Sequence, residues 1–187
     1  MSYLYAEYQE VIAPRLMNLL KINNRMAVPK LVKVILNMGV GKATQDSKRL
    51  DDAVQVMTVI AGQKPIVTRA RKSIAAFKLR EGQGIGVKVT LRGALMYSFV
   101  ERFINIALPR VRGLEKLPTK SDGKGGYSLG VNDCSIFSEV EYSAGERRGL
   151  NINIVTTAKN NLECLSLLQE MHFPLRTFDD RVCHATV

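Results

Sequence analysis

The sequence has little with which to do covalent chemistry. Its 187 residues include two histidines, His172 and His184, both near the C-terminus and far from any serine or cysteine motif. No paired-carboxylate motif stands out in the basic half either, so general acid–base and nucleophilic catalysis find no tool kit. Cysteine is scarce as well: Cys134, Cys164 and Cys183. Cys183-His184 is adjacent, but no second pair exists to close a zinc site. Reduced thiols in a cytosol-like compartment are the expectation. No apolar run approaches the roughly 18 residues that span a bilayer. The N-terminus, MSYLYAEYQE, is acidic and aromatic and resembles neither a secretory signal nor an Arg-rich transit peptide. The chain is expected to act where it is made, with no membrane partner, no cofactor and no metal.

Acid is missing where base is plentiful. Residues 53–100 hold eight cations against one anion, Glu81, a net of +7 of the chain's +10. Residues 1–52 are at +3 and residues 101–187, with 11 charges of each sign, are neutral. A charge excess concentrated in one quarter of the chain is an electrostatic footprint, and nucleic acid is the natural partner.

Hydropathy patterning predicts the frame. Residues 3–20 read as a helix with Tyr5, Tyr8, Ile12, Leu16, Leu19 and Leu20 on one stripe, bent or delayed by Pro14. Residues 30–38 alternate as a strand, with Val32, Val34, Leu36 and Met38 inward and Lys33, Ile35 and Asn37 outward. Gly39 to Lys42 then turn the chain. A helix at 47–61, capped by Asp46 or Ser47, buries Leu50, Ala53, Val54, Met57 and Ile60 and stops at Gly62. Strands are predicted at 66–70 and 85–92, the latter with Val87, Val89 and Leu91 inward. A helix at 94–108 packs through Leu95, Phe99, Val100, Phe103 and Ala107 and is stopped by Pro109. Residues 109–149 form a long insertion centred on SDGKGGYSLG, with an extra strand expected between Ile136 and Tyr142. A strand at 150–157 turns Leu150, Ile152 and Ile154 inward. The last helix, capped by Asn160 or Asn161, carries Leu162, Leu165, Leu168 and Met171, with His172 at its end.

The order is helix, then β-α-β-β-α-β, then helix. The class is α+β: a split, ferredoxin- or RRM-like antiparallel sheet with helices on one face and extra terminal helices. A single RNA-binding domain over 1–187 is expected, with a basic arm at 70–84 and a flexible tail at 177–187. The outward positions Lys33, Asn37, Arg69, Lys88, Thr90, Arg92, Asn151 and Asn153 then share the open face, none of them acidic. Gln63 and Lys64 stand at the entrance to the second strand. Together they form the candidate RNA-binding set.

Aromatics are absent from that outward set, whose apolar members are Ile35 and Val155. Single-strand binders of this topology stack bases on aromatic residues, so the expected ligand is a folded, largely double-helical RNA held through its backbone. Neutralising about six phosphates gives a log–log salt slope of roughly −4 to −5. A phosphate-handling enzyme built on Gly39-Val40-Gly41-Lys42 is the competing reading. It lacks the GxxxxGK[ST] spacing: Leu36 stands five residues before Gly41, and Ala43 follows the lysine. Gly82, Gly84 and Gly86 do not make GxGxxG and precede a strand instead of a helix.

Four separated blocks carry a resemblance: LNMGVGKA (36–43), GQKPIVTRARKSIAAFKLREG (62–82), GVKVTLRG (86–93) and RGLNINIVTTAK (148–159), with HFPLR (172–176) at the end. The chain resembles the bacterial-type large-subunit ribosomal proteins that bind 5S rRNA, number five of that subunit. The resemblance implies a structural constituent of the large subunit that helps anchor 5S rRNA in the central protuberance, with no catalysis of its own. Asn37, Gln63, Thr90 and Arg92 would make central 5S rRNA contacts. The arm would touch peptidyl-site tRNA through Arg71, Lys72, Ser73, Phe77, Lys78 and Arg80. Further implied partners are 23S-type rRNA, neighbouring large-subunit proteins and, through the insertion, a small-subunit head protein. The location implied is the cytoplasmic ribosome, or an organellar one if the chain is encoded there. The insertion departs from the family's Phe-Asp-Gly-x-Gly-Asn-Tyr, with Ser121 for Phe and Gly126 for Asn, which should loosen that turn. Phe137-Ser138-Glu139 replaces the usual Phe-Pro-Glu, and the tail after Arg176 has no counterpart. The alternative reading is a general structured-RNA-binding protein, an RNA chaperone or translational regulator, acting off the ribosome.

Overall fold

Period-two alternation in three strands and two apolar helical stripes set the frame. A computed structural model of the chain describes residues 2–41, 48–111, 117–119, 121–140 and 148–175. The strands are β1 (Leu31–Gly39), β2 (Ile66–Arg69), β3 (Gly84–Leu91), β4 (Gly126–Val131) and β5 (Leu150–Thr156). They form one antiparallel sheet in the order β2-β3-β1-β5-β4. Leaving out β4 gives the strand order of the split βαβ arrangement, as expected, and β4 extends it at one edge.

The helices are α1 (Tyr3–Glu7), α2 (Ala13–Leu20), α3 (Lys48–Ala61), α4 (Gly93–Arg102), α5 (Leu108–Arg110) and α6 (Asn161–Glu170). Helix α3 packs on β3, α4 on β1, α1 on α4, and α2 on α6. Val34, Leu36 and Met38 of β1, Val87, Val89 and Leu91 of β3, and Leu150, Ile152 and Ile154 of β5 are all buried beneath them. Phe99 and Phe103 stack at 5.9 Å, and Phe103 lies 6.3 Å from Phe137 and 6.4 Å from Phe173. Large buried aromatics of this kind dominate the energetics of a core. The N-terminal tyrosines pack as expected: Tyr5 against Tyr97 at 5.0 Å, while the Tyr8 hydroxyl donates to the Pro29 carbonyl at 2.9 Å.

Both helical prolines are handled alike. Pro14 follows a π-helical segment, Tyr8–Ile12, and Pro109 follows another, Phe103–Ala107. A proline ring clashes with the carbonyl four residues earlier and offers no N–H, and a widened turn relieves both problems. Pro109 therefore does not stop its helix, which continues to Arg110. The first widened turn also changes the stripe: Leu4, Ile12, Ala13 and Leu16 are buried while Leu19 is exposed.

Other expectations are corrected. A register shift between Leu31 and Lys33 bulges Val32 outward, so Leu31 and not Val32 is buried. In α4 the stripe runs through Met96, Phe99, Val100, Phe103 and Ala107. Leu95 lies one residue, about 100°, off that line and is exposed. Leu162, in the first turn of α6, is exposed too. Asn160 makes no side-chain cap there, and the Glu163 carboxylate accepts the Lys159 N–H instead. The extra strand of the insertion is β4. Cys134–Ile136 is a single 3-10 turn, followed by a turn at 137–140, and Ile136 and Phe137 are buried. Arg102 fastens this turn, donating to Glu139 at 2.6 Å and to the Ile60 carbonyl at 3.1 Å. Lys42, Asp46, Ser47, Tyr142, Cys183, His184 and the tail at 177–187 lie outside the described residues.

Candidate nucleic-acid interface

Residues opposed across neighbouring strands share a face, so the register turns the outward side chains into a grid. One row runs Ile66, Lys88, Asn37, Asn151, Gly130. The next runs Thr90, Ile35, Asn153, Ser128, and a third runs Lys33, Val155, Gly126. Lys33, Asn37, Lys88, Thr90, Asn151 and Asn153 are thereby brought onto one surface. No Asp or Glu occupies any position of the three rows. Arg92 extends this side just beyond β3, exposed at the N-cap of α4. Gln63 and Lys64 are exposed in the link from α3 to β2, after Gly62 ends the helix at φ +64°.

Arg69 is placed differently. A register shift after Thr68 sets Arg69 opposite Gly84, where a Cβ would meet Leu50 of α3 and Val67. Arg69 therefore has the helix-side parity, exposed at the sheet edge and at the foot of the arm. The extra residue of the shift, Ile85, lies in β3, so β2 keeps its own alternation: Ile66 and Thr68 take the open face and Arg69 the other.

The structure adds Ile66, Ser128 and Gly130 to the face. Ile66 is 75% exposed, and the brevity of β2 conceals it in the sequence. Ser128 and Gly130 belong to β4, whose alternation of Tyr127, Leu129 and Val131 is diluted by Gly125, Gly126 and Gly130. The face thus offers amides, hydroxyls and ammonium groups over a shallow apolar floor of Ile35, Val155 and Ile66. Such a mixture bonds phosphate oxygens and 2′-hydroxyls and offers no aromatic ring for stacking.

The arm is a tied hairpin and not an open loop. Ala70 donates its N–H to the Gln83 carbonyl at 2.8 Å, and Gly82 donates to Ala70 at 3.0 Å. Ile74 and Leu79 exchange both backbone bonds at 2.9 and 3.1 Å. Ser73 Oγ accepts the Glu81 N–H at 2.9 Å, so its oxygen is engaged inside the stem. A turn at Ala75–Phe77 closes the tip, with Lys78 left-handed at φ 52°. Arg71, Lys72, Lys78 and Arg80 are exposed around it, and Phe77 is 72% exposed at the tip.

The insertion turn is tight despite its departures from the expected pattern. Asp122 Oδ1 accepts N–H bonds from Lys124 at 3.0 Å and Gly126 at 2.8 Å. These two bonds hold the Asp122 carboxyl below its ordinary range. A Cβ on Gly126 would collide with that carboxylate, so glycine suits the clasp. Behind it, buried Thr156 donates its hydroxyl to the Gly125 carbonyl at 2.6 Å and accepts the Ala158 N–H at 3.1 Å. Cys134 and Cys164 are buried free thiols, and burial pushes Cys134 up to about 12, which makes it inert. Among the described residues no cluster of His, Cys, Asp and Glu is arranged to hold a metal ion, and no helix is long and apolar enough to cross a membrane.

Family comparison decides what kind of protein carries this face. A family described as ribosomal protein L5 matches residues 24–80, and a second, describing the C-terminus of the same ribosomal family, matches residues 84–175. The chain belongs to the ribosomal protein L5 family. This L5 family is a structural and not an enzymatic class. The large ribosomal subunit protein uL5 of Syntrophomonas wolfei is 50% identical over 178 residues, covering 94% of this chain and 100% of that protein. The uL5 of Ruminiclostridium cellulolyticum is 51% identical, over 93% and 98% respectively. That of Trichodesmium erythraeum is 49% identical over 91% and 95%. The two L5 matches meet between residues 80 and 84, where the arm returns to the sheet.

Proposed function

We propose that this L5-family protein grips 5S rRNA with its open sheet face and reaches peptidyl-site tRNA with the hairpin arm. The chain is a structural, non-enzymatic constituent of the large ribosomal subunit and works on the bacterial-type ribosome in the cytoplasm. The observation that carries the finer reading is the grid: three rows of outward residues across five strands, without one carboxylate. A rigid sheet fixes register on a folded RNA, because its hydrogen-bonding side chains are spaced by the strands themselves. Asn37, Gln63, Thr90, Asn151 and Asn153 supply hydrogen bonds, while Lys33, Lys64, Lys88 and Arg92 supply the charge term. Arg69 serves from the rim. On the arm, Arg71, Lys72, Lys78 and Arg80 surround Phe77, and Ser73 holds the stem. The insertion, with its Asp122 clasp, faces a small-subunit head protein across the subunit interface, and 23S-type rRNA and neighbouring proteins complete the surroundings. Residues 1–187 act as a single RNA-binding unit, with 177–187 as its tail.

The test is to purify the tagged protein at moderate salt and identify the RNA it retains. A dominant 5S rRNA that outcompetes equally long folded RNAs supports the reading. A broad mixture of RNAs refutes it and favours a general structured-RNA binder acting off the ribosome.

A further inference from the structure

Gly39 is a glycine that the fold does not require. It was expected to turn the chain, yet it is the last residue of β1, paired with Gly86 and lacking a positive φ. A Cβ built on Gly39 meets nothing within 4 Å. Its partner is different: on Gly86 the same atom would lie 2.8 Å from the Met38 carbonyl oxygen, so the fold itself demands glycine there. Glycine inside a strand weakens it, by entropy and by the missing side chain, and recurs where a ligand or another backbone approaches closely. Among the described residues nothing lies within 4 Å of a Cβ on Gly39, so this stretch of peptide is open to a ligand.

The place fits. Gly39 is exposed, two residues along β1 from Asn37 and hence on the same face, one step from the row that holds Lys88 and Asn151. Its partner Gly86 is buried, so the bare peptide at that end of the grid is that of Gly39 itself. Gly130, at the far end of the Asn37 row, repeats the pattern: exposed, without positive φ, its Cβ in ordinary contact at 3.5 Å with Asn151. We propose that Gly39 is a ligand-contact position whose missing side chain lets the sugar–phosphate backbone of bound RNA lie directly on the peptide. Asn37 and Lys88 then reach that backbone from beside it. This inference rests on the RNA-face reading and sharpens it, since it selects the β1–β3 end of the face as the closest approach. A side chain there would lift the RNA away from its hydrogen-bonding neighbours without removing any charge.

The experiment compares wild type, Gly39→Ala, Gly39→Val and Asn37→Ala in the full chain. It measures melting temperature and affinity for a 5S rRNA transcript across a salt series. Both glycine variants should melt at or above the wild-type temperature, because alanine and valine restrict the unfolded chain and suit a strand. Affinity should fall modestly for Ala and about tenfold or more for Val, with the salt slope shallower by at most about 0.9, the share of the one phosphate that Lys88 reaches. Wild-type affinity in Gly39→Val overturns the inference and leaves the RNA-face reading intact, provided Asn37→Ala still weakens binding. A Gly39→Val melting temperature several degrees below wild type also overturns it, because glycine would then serve the fold. A wild-type protein that does not prefer 5S rRNA over an equally long folded RNA refutes the underlying reading and this inference with it.

Discussion

Asn37 and Lys88 face each other across β1 and β3, and the pair offers a way to separate hydrogen bonding from charge. Both are exposed on the same row, so either can be changed without touching the core. Lys88→Gln keeps most of the stem and removes one cation. If Lys88 neutralises one phosphate, the log–log salt slope should become shallower by about 0.7 to 0.9. Asn37→Ala removes amide hydrogen bonds and no charge. Its loss should be about 1 to 1.4 kcal/mol, roughly five- to tenfold in affinity, at an unchanged slope. The assay is filter binding or fluorescence anisotropy with 5S rRNA across a salt series, with unfolding curves to show that both variants stay folded. A slope change in Asn37→Ala with none in Lys88→Gln would refute the assignment of roles. No effect from either would remove this row from the interface.

Other consequences follow from the same structure. Lys72→Ala and Lys78→Ala should leave 5S rRNA affinity nearly intact and weaken tRNA-dependent function, which ribosomes reconstituted with the variants would reveal. Phe103→Ala empties the centre of a four-phenylalanine cluster and should cost about 3–5 kcal/mol in urea unfolding. Thr156→Val removes the hydroxyl that the Ala158 N–H and the Gly125 carbonyl share, a loss of about 1–3 kcal/mol in the same assay. The Asp122 clasp depends on pH. Its carboxyl is depressed in the folded chain, so its contribution is complete above the ordinary carboxylate range and lost as pH falls through the folded value. The amide resonances of Lys124 and Gly126 should follow that titration, and Asp122→Asn should flatten it.

How much is legible in the sequence depends on whether a residue's neighbours along the chain decide its place. In β1, β3 and β5 alternation of apolar and polar residues fixes which side chains face out, and Lys33, Asn37, Lys88, Thr90, Asn151 and Asn153 stand where alternation puts them. Bulges defeat that logic, because one extra residue inverts every position beyond it. Val32 changes sides for this reason, whereas Arg69 follows the alternation of β2, which is too short to show which face Ile66 takes. Strand β4 is hard to read because glycines dilute its pattern. Ile136 and Phe137 suggest a strand because they are apolar, although they serve a turn. The rows themselves are not legible, since cross-strand register is a property of pairs. Pro109 reads as a stop because the widened turn before it leaves no mark in composition.

The sheet's two outer strands are its two shortest: β2 has four residues and β4 six, against nine, eight and seven for β1, β3 and β5. An exposed strand edge is a template on which another chain can extend a sheet, and its hazard grows with length and flatness. Here one edge strand hands over at once to a cationic hairpin, while the other carries two glycines, Gly126 and Gly130, in six residues. With its open face polar and its outer strands short, the sheet offers little along its edges for a second copy to pair with.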